Sequence, residues 1–119
     1  METSLESTVD RLAALAQPQR LAVFRMLVVA GPAGRLPGDI AAELAIPPSS
    51  LSFHLAHLRR AGLVGVEARG RERRHVADFG AMRGLVDFLT ENCCAGADCA
   101  PVVEKPGDAM RALLKRNVA

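Results

Sequence analysis

The chain has 119 residues, half of them hydrophobic and only 3% aromatic, with a formal net charge of +2. This length fits one small domain, so we expect residues 1–119 to form a single domain, and the apolar content excludes an intrinsically disordered polypeptide. No apolar run approaches the length of a membrane span, and the N-terminus lacks the layout of a signal peptide. We therefore expect a cytoplasmic protein with no membrane partner.

Apolar residues at helical spacing predict two helices in the first 30 residues. The first is an amphipathic helix whose apolar positions are Leu5, Val9, Leu12 and Leu15. The second begins at Pro18, because a proline costs no hydrogen bond in the first turn of a helix. Its predicted buried face consists of Leu21, Phe24 and Val28. The breaker cluster at residues 30–34 ends this helix.

Two further helices flank a tight turn. The first spans about Pro37 to Leu44, residues 45–48 form the turn, and the second spans roughly Pro48 to Arg60. Gly62 follows as a helix terminator. Two helices joined by so short a turn predict a helix-turn-helix.

A hairpin follows, with strands at residues 63–68 and 73–77 and a turn at 69–71. A hairpin in this place is typical of a wing, so the predicted fold is mainly α with a β-hairpin wing: a winged helix-turn-helix. Asp78 caps a helix that runs into a cysteine cluster, and Asp108 caps a last short helix. The apolar face of the helix after the wing consists of Phe79, Met82, Leu85, Val86 and Leu89. A chain this small buries a limited core as a monomer, which favours a homodimer.

Positive charge is concentrated at residues 59–74, where six Arg face two Glu, a local charge of +4. This concentration is typical of a protein that binds a polyanion, and the helix-turn-helix beside it predicts double-stranded DNA. The predicted DNA-binding residues are Ser49, Ser50, Ser52 and His54 on the helix, and Arg69, Arg71, Arg73 and Arg74 on the wing. Other roles stay open: one serine could cap the helix, His54 could be structural, and the wing could be solvated. Phe53 could touch a thymine methyl or simply pack.

The three cysteines of the chain, Cys93, Cys94 and Cys99, lie within seven residues. Thiolates select soft ions, and three of them suit trivalent arsenic or antimony, whereas structural zinc usually takes four closed ligands. These cysteines are the predicted metal site, and no organic cofactor is expected. Adjacent helical residues point about 100° apart, so the helix has to end before Cys93 and Cys94 can share one ion. A redox switch, with Cys93 or Cys94 bonded to Cys99, is the alternative, and simple packing is a third possibility.

The helix-turn-helix residues carry a family resemblance. Ser52-x-His54-Leu55-x-x-Leu58, followed by residues 61–64 (Ala-Gly-Leu-Val), resembles the DNA-reading half of ArsR/SmtB-type winged-helix repressors. The resemblance covers about residues 8–92. It implies a dimer that binds a palindromic operator and loosens when an inducing ion binds. It also implies a terminal arsenic site at a different place on the same scaffold.

The chain departs from two known ion sites of that family. The cysteines of founding arsenic sensors correspond to Leu36 and Gly38 here, and zinc sensors use Asp and His on the helix after the wing, where this chain has no His. We therefore expect an arsenite- or antimonite-responsive repressor rather than an enzyme, since we find no phosphate loop, nucleophile elbow or paired carboxylate motif. A redox-sensing regulator and a sensor of another thiophilic ion, such as zinc, cadmium or bismuth, are the alternatives. Methylated arsenicals also stay open.

Overall fold

A computed structural model describes residues 4–97. The chain divides into one compact unit that ends at Leu89 and a second unit that begins at Thr90. The elements in chain order are α1 (Leu5–Leu15), α2 (Pro18–Ala30), a 3-10 turn (Gly31–Ala33), α3 (Pro37–Leu44), α4 (Pro48–Arg60), β1 (Val64–Arg69), β2 (Glu72–Ala77), α5 (Phe79–Thr90) and a second 3-10 turn (Cys93–Gly96). This order confirms the predicted winged helix-turn-helix. The predicted last helix at Asp108 lies outside the described residues.

The helix-turn-helix has the bounds that the sequence predicts. α3 ends where Ala45 adopts a left-handed conformation (φ 53°), and Pro48 opens α4. The two helices pack against α2 through a continuous apolar core. Its most deeply buried members are Val23, Leu27, Ile40, Leu51, Leu58 and Leu63. Because α4 is anchored on this side, its opposite side faces outward.

The wing is an antiparallel hairpin of two six-residue strands. Its last pair is Arg69 with Glu72, so the connecting loop has two residues rather than the three that the sequence predicts. Gly70 has a positive φ of 62° in that loop. Two-residue loops with positive φ match the twist of paired strands, which explains why the strands extend closer to the tip than predicted.

A contact that the sequence does not predict holds the wing against the segment after α2. The Arg35 N–H donates to the His75 carbonyl at 3.0 Å, and the His75 N–H donates to the Arg35 carbonyl at 2.9 Å. Gly34 precedes this bridge with a φ of 65°, and a Cβ there would collide with the His75 carbonyl oxygen. Only glycine therefore permits the close approach.

The first helix buries mainly polar side chains within the single chain. α1 buries Thr8, Arg11 and Ala14. Three of its four apolar positions are exposed, Leu5 at 67%, Val9 at 54% and Leu12 at 41%, whereas Leu15 packs against the core. The buried polar groups are satisfied, since the Thr8 hydroxyl donates to the Ser4 carbonyl at 2.7 Å. We call the exposed row of Leu5, Val9 and Leu12 the α1 stripe.

Two other predicted helix faces need correction. In α2 the buried residues are Val23, Phe24 and Leu27, while Leu21 is exposed and Val28 is only partly buried. α2 packs against α1, α3, α4 and β2, and these neighbours set which side is buried. In α5 the predicted face is only partly inward, because Leu85 is buried whereas Val86 and Leu89 are exposed.

No single helix within residues 4–97 is long and apolar enough to cross a membrane. The first two helices pass that test of length and composition only when taken together. The chain bends by 102° at the break between them.

Candidate functional site

The outward side of α4 carries most of the predicted DNA-binding residues of the helix. Its inward side consists of Leu51, His54, Leu55 and Leu58. Ser49, Ser52 and Phe53 are exposed, and Ser50 is partly buried. The spacing of these exposed residues places them on one helical face, as a helix that enters a DNA groove requires. The structure therefore brings Ser49 and Ser52 together on an accessible surface.

The serines do not cap α4. The N-cap is Pro47, and no side chain makes a capping hydrogen bond. This removes the alternative in which a serine is present to start the helix. The first-turn N–H groups of a helix favour anions, so the same end of α4 suits a DNA phosphate.

His54 is buried and holds the recognition helix in place. Its Nε2 lies 2.8 Å from Oε1 of Gln19, at the start of α2. Because an amide oxygen can only accept, Nε2–H is the donor, and this choice fixes the tautomer. The placement favours the structural role of His54 over a base contact. The partner Gln19 lies 35 residues away, so periodicity gave no signal for it.

A second polar contact holds the other end of the same helix. Arg11 of α1 donates from Nε to the carbonyl of Ala61 at 3.1 Å. Ala61 is the C-cap of α4, where unsatisfied carbonyls carry partial negative charge. α1 thus presents its apolar stripe outward and touches the recognition helix from its other side. The sequence gives little indication of this contact beyond the presence of Arg11 in an amphipathic helix.

The four predicted wing arginines fall into two pairs. Arg69 donates to the Pro32 carbonyl and to Glu67, each at 3.0 Å, and Arg74 lies 3.6 Å from Glu72. Arg71 and Arg73 are exposed, and neither forms an ion pair within residues 4–97. Arg71 and Arg73 can therefore bind DNA phosphates without first breaking an ion pair.

Replacing Arg71 and Arg73 together by Ala should weaken operator binding and flatten its salt dependence. Each lost phosphate contact lowers the slope of log affinity against log salt by about one, so the double variant should lose about two. The measurement is fluorescence anisotropy at four salt concentrations. Arg69→Ala is the matched control and should change the slope less, because Arg69 is held by Pro32 and Glu67. An unchanged slope in the double variant would place both arginines in solvent.

The buried histidines predict a loss of stability at mildly acidic pH. Burial lowers the pKa of His54, and Arg20 adds to the effect; burial also lowers the pKa of His75, with Arg59 adding to it. The unfolded chain takes up protons near pH 6.5, where the folded chain resists them. Stability is therefore full above about pH 6.5 and falls as the pH drops through that value toward the folded pKa.

Urea unfolding at pH 7.5, 6.5 and 5.5 measures this effect. The parent should lose stability across the series, and His54→Gln should lose less between the same pH values. A matched Ser52→Ala variant, at an exposed and non-titratable position of the same helix, should retain the parent's pH dependence. Equal stability of the parent at pH 7.5 and 5.5 would contradict the prediction.

The cysteine segment lies just beyond α5 and is not α-helical. α5 ends at Thr90, and Asn92, Cys94 and Ala95 have left-handed φ values of 53°, 57° and 55°. The helix therefore ends before Cys93, as a shared ion site requires. Cys93 is exposed, and its thiol lies 3.6 Å from the sulfur of Cys94, which is disulfide-bonded. Cys99 lies outside the described residues.

The sulfur separation fits two ligands of one ion. Sulfurs bound to a metal at about 2.3 Å stand roughly 3.5–3.8 Å apart at ordinary bond angles. Such binding requires Cys94 in its reduced form. Residues 4–97 contain no group of three His, Cys, Asp or Glu that could hold a metal ion. A three-sulfur site therefore depends on Cys99.

Asp78, at the start of α5 where zinc sensors of the family have their ion site, has a structural role instead. The Asp78 carboxylate accepts a hydrogen bond from the Ala81 N–H at 2.9 Å, as a helix cap does. On α3, the positions of the founding arsenic site hold Leu36 as N-cap and Gly38 in the first turn. Neither place offers a soft ligand.

These features define a winged-helix DNA-binding protein, and comparisons with known proteins agree. A helix-turn-helix domain model matches residues 15–67. An ArsR-like transcriptional regulator from Rhodococcus sp. RHA1 is similar in fold, with a TM-score of 0.66 and 22% identity over 95% of this chain and 93% of that one. HlyU from Vibrio cholerae N16961 has a TM-score of 0.59 and 28% identity over 79% of this chain and 99% of that one. A comparison with curated protein sequences gives no significant match.

The cadmium metal-sensor CMTR from Mycobacterium tuberculosis is 31% identical, with a TM-score of 0.52, over 82% of this chain and 99% of that one. Identity at this level over nearly all of the relative shows common family membership. The chain belongs to the ArsR family of winged-helix transcriptional regulators and is a DNA-binding regulator.

Proposed function

We propose that this regulator is a dimeric repressor that leaves its operator when arsenite or antimonite binds Cys93, Cys94 and Cys99. The observation that carries the proposal is the 3.6 Å separation of the Cys93 and Cys94 sulfurs in an exposed, non-helical segment. Once Cys94 is reduced, thiols at this separation can bind one ion together. Trivalent arsenic and antimony suit three soft sulfurs, and the chain has three cysteines.

The α1 stripe supports the dimer. Three apolar side chains at helical spacing stand in solvent while the same helix buries Thr8 and Arg11. An exposed apolar side of this kind marks an interaction surface. A second copy of the chain, related by a two-fold axis, can bury it with the same stripe. Leu89, exposed near the end of α5, adds apolar surface to the same compact unit.

We place the route from the ion to DNA in the dimer interface. The cysteine segment directly follows α5, so an ion that reshapes it changes where that helix ends. A change in the dimer interface reaches α1, and Arg11 connects α1 to the end of α4. Release then follows from different spacing of the two recognition helices in the two states, which is the differential contact that allostery requires.

Ultraviolet absorbance during titration with arsenite tests ion binding. In reducing buffer, sulfur-to-arsenic bands should grow until one equivalent per chain and then stop. The same titration with zinc, cadmium and bismuth ranks other thiophilic ions, and a trivalent methyl arsenical tests whether two thiols suffice. Absence of any sulfur-to-arsenic band at several equivalents would overturn the arsenic assignment.

A redox-sensing regulator is the second candidate, and the disulfide-bonded state of Cys94 favours it. In that case thiol oxidation, rather than an ion, changes the affinity for DNA. Peroxide should then release the operator reversibly, with recovery on addition of a dithiol, and arsenite should have no effect on the reduced protein. The opposite pattern favours the ion sensor.

A further inference from the structure

Phe53 is an exposed aromatic ring in the centre of the DNA-facing side of α4. The chain has four Phe and no Tyr or Trp. Phe24 is buried and the Phe79 and Phe88 side chains are partly buried, whereas Phe53 is 61% exposed. The core therefore makes little use of this ring, although aromatic rings are scarce in the chain.

The ring is held in a defined place on that surface. It lies edge-on to His54, with ring centroids 6.0 Å apart, and edge-on to His57 at 6.4 Å. His54 is in turn fixed by its bond to Gln19. Ser49 and Ser52 precede Phe53 on the same face and supply polar groups, while Phe53 supplies apolar surface.

We propose that Phe53 reads the C5-methyl group of one thymine in each operator half-site. In the major groove the thymine methyl is the one apolar mark among the base edges, and Phe is among the side chains that contact it. An aromatic ring beside two hydroxyl side chains suits such a methyl group, because the serines can bond neighbouring polar base edges or phosphates. The proposal rests on DNA reading by α4 and is independent of the inducer.

Deoxyuridine provides the direct test, since it differs from thymidine by that methyl group alone. The operator is first defined by footprinting, and each thymine of both half-sites is then replaced by deoxyuridine in turn. One thymine position per half-site should weaken binding roughly fourfold, as expected for the transfer of one methyl group. Replacing that position in both half-sites should weaken binding by roughly fifteenfold.

The Phe53→Ala variant tests whether Phe53 is the side chain that contacts this methyl group. The variant should bind the thymine operator more weakly than the parent and should no longer distinguish thymine from deoxyuridine at that position. Phe53→Leu should keep part of the discrimination, because it keeps apolar surface. Val29→Ala is the matched control: Val29 is 85% exposed but lies on α2, so the variant should discriminate as the parent does.

Two results would overturn the proposal alone: a parent that binds every deoxyuridine operator equally well, or a Phe53→Ala variant with undiminished discrimination. A parent that protects no DNA would overturn DNA reading by α4 together with it. Circular dichroism confirms folding of each variant, and the exposure of Phe53 makes a folding defect unexpected.

Discussion

Replacing Cys93, Cys94 or Cys99 by Ser should leave operator affinity unchanged and remove the response to arsenite. A hydroxyl is a hard, protonated ligand where a soft thiolate is needed. The arsenite concentration for half-release should rise by about 100-fold or more, since even changes behind the ligands cost about 10–100-fold in metal affinity. The cysteines follow α5 in the chain, beyond α4 and the wing, so DNA reading should survive.

Ala97→Ser is the matched control for the cysteine variants. It introduces a hydroxyl into the same exposed segment and leaves all three thiols, so it should release operator at the parent's arsenite concentration. A trivalent methyl arsenical, which needs two thiols, should still release at least one of these variants, because each keeps two cysteines. If all three serine variants respond to arsenite as the parent does, the three-thiol site is wrong.

A charge in the α1 stripe should separate the dimer and cost most of the affinity for DNA. Val9 stands at the centre of the stripe and is exposed in the single chain, so Val9→Glu should fold normally. Binding two linked half-sites raises the affinity about 10²–10⁴-fold over binding one, and a monomer loses that increase in affinity. Analytical ultracentrifugation measures the assembly, and anisotropy on the whole operator measures the affinity.

Val29→Glu is the control for that experiment, because Val29 is an even more exposed valine outside the stripe, at 85% against 54% for Val9. It should remain dimeric with the parent's affinity. Footprinting of the parent should show an inverted repeat whose half-sites lie about one helical turn apart. A Val9→Glu protein that stays dimeric, or a parent that is monomeric and protects no paired half-sites, would contradict the α1 interface.

Local signals allowed the sequence to predict the fold. Prolines at helix starts, Gly62 after α4 and the Gly70 loop are short-range features, and the bounds of α3 and α4 agree with the structure. The sequence predicts a wing loop that is one residue too long, because strand pairing decides which residues belong to the loop. The winged-helix class was therefore available from the chain alone.

The packing of α1 and the role of His54 were not available in that way. An apolar pattern shows which residues are alike, but neighbours decide which side is buried. Arg11 is buried because it bonds Ala61, 50 residues away, and His54 because it meets Gln19. The same reasoning applies to the wing, where Arg69 donates to the Pro32 carbonyl, 37 residues away. The sequence alone could not show that Arg69 is held in this way and that Arg71 is not.

Operator release by arsenite tests the central claim most directly. Parent protein, reduced and saturating a labelled operator, is titrated with arsenite while anisotropy is recorded, and peroxide is titrated in parallel without reductant. The account predicts complete release near one arsenite per chain under reducing conditions, with recovery when a dithiol removes the arsenic. Operator that stays fully bound at a large excess of arsenite, and is released by peroxide instead, would contradict it.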